Sequence, residues 1–175
     1  VHKVIEYERS PPLANPDFYT HATMASQFQC CRTDVAADGT AQRTFAEVSE
    51  WTRDVLIGRG YTVDRIYQMT VDSEYTGWQI PLFYNDGTPL PPDLGALSGF
   101  AWDGSTQDVA DAFNDGRFFI LHRDHAGSQN WSHPRFTVNH VAALTNGEYL
   151  PVVLSVNCAT GLFDDETINN PSEKI

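Results

Sequence analysis

Two residues of this chain can do nucleophilic chemistry together. His125 closes the segment Arg117-Phe-Phe-Ile-Leu-His-Arg-Asp-His125, and Cys158 closes Pro151-Val-Val-Leu-Ser-Val-Asn-Cys158, 33 residues further on. A thiol is a weak nucleophile while protonated, and a neighbouring imidazole that takes its proton activates it. Each residue stands at the far end of a short apolar run rich in β-branched and aromatic side chains. Runs of this kind read as buried parallel strands, whose carboxyl ends carry the ligand-binding loops of open α/β sheets. Cys158 and His125 are therefore the candidate nucleophile and base.

Two other readings use the same residues. His122, His125, His133 and His140 place four imidazoles in a stretch whose ends are 18 positions apart, a candidate metal site. His122-Arg-Asp-His125 lacks the glutamate of the His-Glu-x-x-His helix, however, and lies at a strand end. The chain could also keep the fold as a non-catalytic binding or structural module. His122, inside the apolar run, is expected to pack or hydrogen-bond behind the site. Trp131 is either a wall of a substrate cleft or a core aromatic.

Bulk properties narrow the field. With 175 residues the chain suits one domain with a core, and its 41% hydrophobic and 19% charged content is that of a globular protein. A net charge of −12 argues against a nucleic-acid partner. No apolar stretch approaches the roughly 20 residues of a membrane span. Val1-His-Lys-Val-Ile-Glu6 reads as amphipathic rather than as a signal peptide. Cys30 and Cys31 are adjacent, and a bridge between neighbours is unusual. The three cysteines are thus expected to form no disulfide framework, with Cys158 left over.

The elements that must position the site alternate strand and helix. Residues 1–9 read as a helix broken by Ser10-Pro-Pro12, and 22–27 as a strand. Phe45, Val48, Thr52, Val55 and Leu56 repeat at the helical period over 41–58, and Tyr61–Tyr67 alternates as a strand does. Residues 71–104 hold no period and read as a loop-rich insertion within the single domain, covering apolar area near the sheet. Ser105 or Thr106 caps a helix carrying Val109, Ala112 and Phe113 that Gly116 ends. Strand 117–122, a helix near 137–145 and strand 150–157 follow. Alternation of this kind implies a mainly parallel sheet covered by helices.

The ordered motifs resemble those of the gingipain-type cysteine peptidases, peptidase family C25. The likeness is carried by Asp108-Val-Ala-Asp-Ala-Phe-Asn-Asp-Gly116, by His125-x-Gly127-Ser128-x-x-Trp131, by Val138–Asn146, and by Leu150-Pro through Asn157-Cys158-x-x-Gly161-x-Phe163. Gly60-Tyr61 and Tyr7-Glu-Arg-x-Pro-Pro12 add a weaker echo. The resemblance implies an α/β, caspase-like three-layer sandwich, incomplete within 1–175. It further implies a cysteine endopeptidase working through a Cys158–His125 dyad and a thioester, on peptide or protein substrates, with no cofactor in catalysis. The oxyanion hole would be the N–H groups of Cys158 and Ala126. The family usually has glycine where Ala126 stands, which questions the loop conformation, since alanine resists φ > 0.

In this family a carboxylate from the end of the first strand supports the histidine. Here Ala25–Cys30 holds none, leaving Asp34 downstream, or Gln27 or Gln29 by hydrogen bonding. Asp34 and Asp38 are candidates for an acidic pocket that receives a basic P1 side chain, or are simply turn residues. Asp164-Asp165-Glu166 could hold a structural Ca²⁺ or form a solvated turn. The resemblance also implies a secreted or cell-surface location, and flanking sequence or a cleaved companion chain that completes the sheet. On that basis the 175 residues alone are expected to be a poor enzyme.

Overall fold

The structure, a computed structural model, describes residues 2–30, 39–71, 82–95 and 97–161. Helix α1 (His2–Arg9) stops at Ser10, where two prolines remove helical amides. A 3-10 turn, Pro16–Thr20, is capped by the Asn15 side chain, which accepts from the Asp17 amide at 3.1 Å. Four strands then build the sheet: β1 (His21–Cys30), β2 (Thr62–Val71), β3 (Phe119–Arg123) and β7 (Val152–Val156). Their spatial order is β2-β1-β3-β7 and every pair is parallel. The alternation read from the sequence is thus a parallel sheet of four strands.

Strand β1 is central and buried along most of its length, so its side chains must pack on both faces. On one face Ala22, Met24 and Phe28 join Leu121 and Ala46 of helix α2 (Phe45–Ile57). On the other, Ala25 and Ile120 join Val109, Ala112 and Phe113 of helix α3 (Thr106–Asn114) together with Trp131 and Phe136. The fold is three-layered for this reason. Helix α3 begins with a reciprocal cap: the Ser105 hydroxyl accepts from the Asp108 amide, and the Asp108 carboxylate accepts from the Ser105 amide at 2.8 Å. It ends at Gly116, whose φ of +79° is cheap only for glycine.

Three expectations need correction. Strand β1 runs to Cys30, because its last residues pair with β2 although Gln27 and Gln29 are polar. The helix expected near 137–145 is the short α4 (Val138–Ala142). Between His125 and α4 lies a small antiparallel sheet of β4 (Ala126–Gly127), β5 (Asn130–Ser132) and β6 (Arg135–Thr137), with strands too short to show a period. A further difference concerns the cysteines: Cys30 is disulfide-bonded, while Cys158 is free and exposed.

Within the aperiodic insertion, residues 72–81, including Trp78, lie outside the described residues. Its described part folds back on the sheet. Leu82, Leu90, Leu94 and Trp102 are buried in the same cluster as Met24 and Tyr67. The return to α3 passes so close to β2 that a Cβ on Gly104 would lie 2.9 Å from the backbone carbon of Ile66 and from the backbone nitrogen and oxygen of Tyr67. Backbone cannot yield as a side-chain end can. Gly104→Ala is expected to cost about 2–3 kcal/mol in urea unfolding, and a loss below about 0.5 kcal/mol would show the approach to be looser than described.

Strand β7 has an unusual surface. Val152, Val153, Leu154 and Val156 are 38–48% exposed, on both faces, and no further strand pairs with it among the described residues. An apolar edge of this kind is the composition of an interior strand.

Candidate active site

The 33-residue interval between His125 and Cys158 is the register of the sheet. Strand β3 pairs with β7 from Phe119↔Val152 to Arg123↔Val156, so both residues stand two positions beyond the last matched pair. Adjacent strands lie about 4.8 Å apart. Imidazole and thiol leave the same carboxyl edge on neighbouring strands, where open α/β sheets carry their ligand sites.

His125 is half-buried and held on two sides. Its Nε2 lies 3.0 Å from Gln29 Oε1 at the end of β1, and its ring meets Phe45 edge-on at 5.1 Å between centroids. An amide oxygen only accepts, so Nε2 carries the proton and Nδ1 is left with a lone pair. Gln29 is one of the two glutamines read as ring-orienting candidates. The other, Gln27, hydrogen-bonds Thr70 on β2 instead.

Ala126 opens β4. The Ser132 amide donates to the His125 carbonyl at 3.0 Å, and Ala126 and Gly127 face Trp131 and Asn130. Hydrogen-bonded and non-hydrogen-bonded pairs alternate in an antiparallel ladder, so Ala126–Trp131 is a non-bonded pair. The Ala126 N–H therefore points away from β5. Its φ is not positive, so glycine is not needed here and the concern about loop conformation falls away.

Cys158 sits in a strained turn. The Thr160 amide donates to the Cys158 carbonyl at 2.9 Å, and Ala159 between them has a φ of +60°, the one positive φ among the described non-glycine residues. A three-residue turn with positive φ is rare outside glycine, and its strain persists only where surroundings enforce it.

His122 lies behind the site, fully buried. Its ring stacks on Trp131 at 4.2 Å with planes 2° apart, and Nδ1 accepts from the Asn157 amide at 2.7 Å. Burial pushes its pKa down to about 4, outweighing the attraction of Asp124, whose carboxylate is 3.8 Å from Nε2. His122 is thus neutral near pH 7 and makes no ion pair with Asp124 there. The consequence for stability has a definite sign. Above pH 6.5 neither the folded nor the unfolded form holds the proton. As pH falls from 6.5 towards 4, only the unfolded form gains it, and about 3 kcal/mol is lost. Urea unfolding of wild type against His122→Gln between pH 7 and pH 4 should show this slope in the difference. Parallel profiles would mean the ring titrates normally.

Trp131 is 1% exposed and donates its indole N–H to Ser155 at 2.8 Å. It packs in the buried cluster with Ile120, Phe113 and Phe136. Asp124 and Asn157 escaped the sequence reading. Asp124 is 1% exposed and accepts the His133 amide through Oδ2. Asn157 binds His122, and only its place beside Cys158 hinted at a role. Asp34, Asp38 and Asp164–Glu166 lie outside the described residues.

The four histidines do not converge on a metal. His140 Nδ1 accepts the Thr137 amide at 3.1 Å, while His122 and His125 are committed to Asn157 and Gln29. Among the described residues no three His, Cys, Asp or Glu side chains gather as a metal-binding group.

This arrangement is a parallel α/β sandwich with a thiol and an imidazole at one sheet edge. The chain belongs to peptidase family C25, whose sequence model matches residues 1–175. Its fold is similar to that of the Arg-specific cysteine proteinase gingipain R (RgpB), with a TM-score of 0.56 and 18% identity over 91% of this chain. The complex of the Porphyromonas gingivalis RgpB pro- and mature domains matches equally, at 0.56 and 18% over 91%. At that identity the likeness establishes the fold, the caspase-like α/β sandwich. The chain spans 28% and 29% of the length of those two chains. Comparison with curated proteins finds no match.

Proposed function

We propose that this chain carries the nucleophile and base of a cysteine endopeptidase. The observation behind the reading is the β3–β7 register, which delivers His125 and Cys158 together to the carboxyl edge of the sheet. His125 Nδ1 takes the thiol proton while Gln29 holds Nε2–H, and the thiolate attacks the scissile carbonyl carbon. The carbonyl electron pair moves to oxygen, and the oxyanion accepts the N–H groups of Cys158 and Ala126. The imidazolium returns its proton to the leaving nitrogen as the C–N bond breaks, giving a thioester. Water, deprotonated by His125, then releases the acid and restores the thiol. A crystal structure should place Cys158 Sγ within about 7 Å of His125 Nδ1, since resting catalytic pairs are often looser than a hydrogen bond. A separation beyond roughly 10 Å would sink the dyad.

Gingipain R is an Arg-specific cysteine proteinase, which supports a basic P1 preference here, with Asp34 or Asp38 as the acidic group. The solved complex of pro- and mature RgpB domains supports a companion segment, which would cover the open face of β7. Secretion or surface display follows from the same likeness. No helix among the described residues is long and apolar enough to cross a membrane.

One observation favours a second reading, a binding module without catalysis. The partner of His125 is the neutral amide of Gln29 rather than a carboxylate. Reaction of Cys158 with a peptidyl electrophile separates the two.

A further inference from the structure

A partly buried polar network lies beneath the Cys158 turn and takes no part in the reaction scheme. Asn157 is its centre. Its amide nitrogen donates to His122 Nδ1 at 2.7 Å and to Ser155 Oγ at 3.0 Å. Ser155 Oγ in turn accepts the Trp131 indole N–H at 2.8 Å, and Asn157 Oδ1 accepts the Thr160 hydroxyl. The chain is therefore clamped one residue before the thiol and two residues after it, across the one described non-glycine residue with positive φ, Ala159. A turn of this kind needs such enforcement to persist.

The orientation of the Asn157 amide is itself determined. His122 is stacked face to face on Trp131 and cannot swing away. Its Nδ1 can receive the amide N–H only while unprotonated, so the ring proton sits on Nε2, towards Asp124. The charged or titratable groups facing this ring are Asp124, His133 and Arg123. Its register neighbours Ala25 on β1 and Ser155 on β7 do not titrate. Burial holds the ring neutral, as the bond to Asn157 requires.

We propose that Asn157 is a positioning residue: locked by His122, Trp131 and Ser155, it holds the strained turn that aims the Cys158 thiol and its N–H at the substrate carbonyl. This rests on Cys158 being the nucleophile, and it assigns a role to residues that never touch substrate.

The test compares two reagents on the full-length protein as wild type, Thr160→Val, Asn157→Ala and Asn157→Asp. Iodoacetamide reads the exposure of the thiol. A peptidyl chloromethyl ketone with arginine at P1, which loses chloride as the thioether forms, also needs the thiol and the oxyanion donors correctly aimed. Asn157→Ala is expected to slow the ketone on the order of 100-fold and to lower kcat similarly, with KM and the iodoacetamide rate within about threefold. Thr160→Val, which removes one hydroxyl from the partly buried turn and keeps the side chain's shape, should slow the ketone roughly fivefold. In Asn157→Asp the carboxylate can only accept, so ¹⁵N spectra should show the His122 proton appear on Nδ1. Wild-type ketone rates in folded Asn157→Ala or in Thr160→Val overturn the proposal, as does an unchanged His122 tautomer in Asn157→Asp. If wild-type Cys158 reacts with iodoacetamide but never with the ketone, the peptidase reading fails and takes this inference with it.

Discussion

In the full-length protein, Cys158→Ala is expected to abolish peptide hydrolysis, a fall on the order of 10⁵-fold or more, while leaving the fold intact. The thiol is exposed and free, and its side chain is part of neither core cluster. Its removal should therefore change unfolding free energy by less than about 0.5 kcal/mol. Stability and activity part company here as they would not for a structural cysteine. Turnover of peptides with arginine or lysine at P1, measured beside urea unfolding of the same variant, checks both halves. Residual hydrolysis within tenfold of wild type would remove Cys158 from the chemistry.

His125→Ala should lower kcat by roughly 10²- to 10⁴-fold, the usual range for a general acid–base group. A thiol keeps some reactivity without its base, so this loss is smaller than that of the nucleophile. Gln29→Ala, which removes the acceptor 3.0 Å from Nε2, frees the ring to rotate and change tautomer. About a tenfold fall is expected there, with KM nearly unchanged. Should Gln29→Ala prove as damaging as His125→Ala, the glutamine would have a larger part than orientation. If His125→Ala is harmless, the base lies elsewhere.

Much of this was legible in the residues because it is periodic. Helix α2 was legible as a helix but its buried face was not: of the periodic residues only Phe45 is buried, Val48 and Val55 are exposed, and Ala46, Ser49 and Glu50 are buried instead. Helix α3 shows a serine cap and a terminal glycine, and the strands show apolar runs of the right length. The His125–Cys158 interval was visible as well, although only strand adjacency makes it the register of a parallel pair. Adjacency is set by pairing between residues far apart in sequence, which periodicity does not report. The antiparallel sheet from Ala126 to Thr137 was invisible for another reason, since strands of two or three residues display no alternation. Asn157 and Asp124 were missed because a polar residue beside a reactive one looks like loop. Their roles depend on a buried ring on the next strand and on a backbone amide nine residues away. Trp131 stood open between two readings, and its burial against His122 depends on strand adjacency that periodicity does not report. Asp34 and Asp38, on which P1 preference would rest, are tied to no periodic element.

The central claim, that Cys158 is a nucleophile activated for peptide substrates, is tested most directly by trapping. The protein is incubated with a slight excess of a peptidyl chloromethyl ketone bearing arginine at P1, which forms an Sγ–CH₂ thioether as chloride leaves, and peptides are mapped by mass spectrometry. One equivalent of label on Cys158, slowed on the order of 100-fold or more in His125→Ala, is the expected result. An unlabelled Cys158 in protein that still hydrolyses the matching peptide would contradict it.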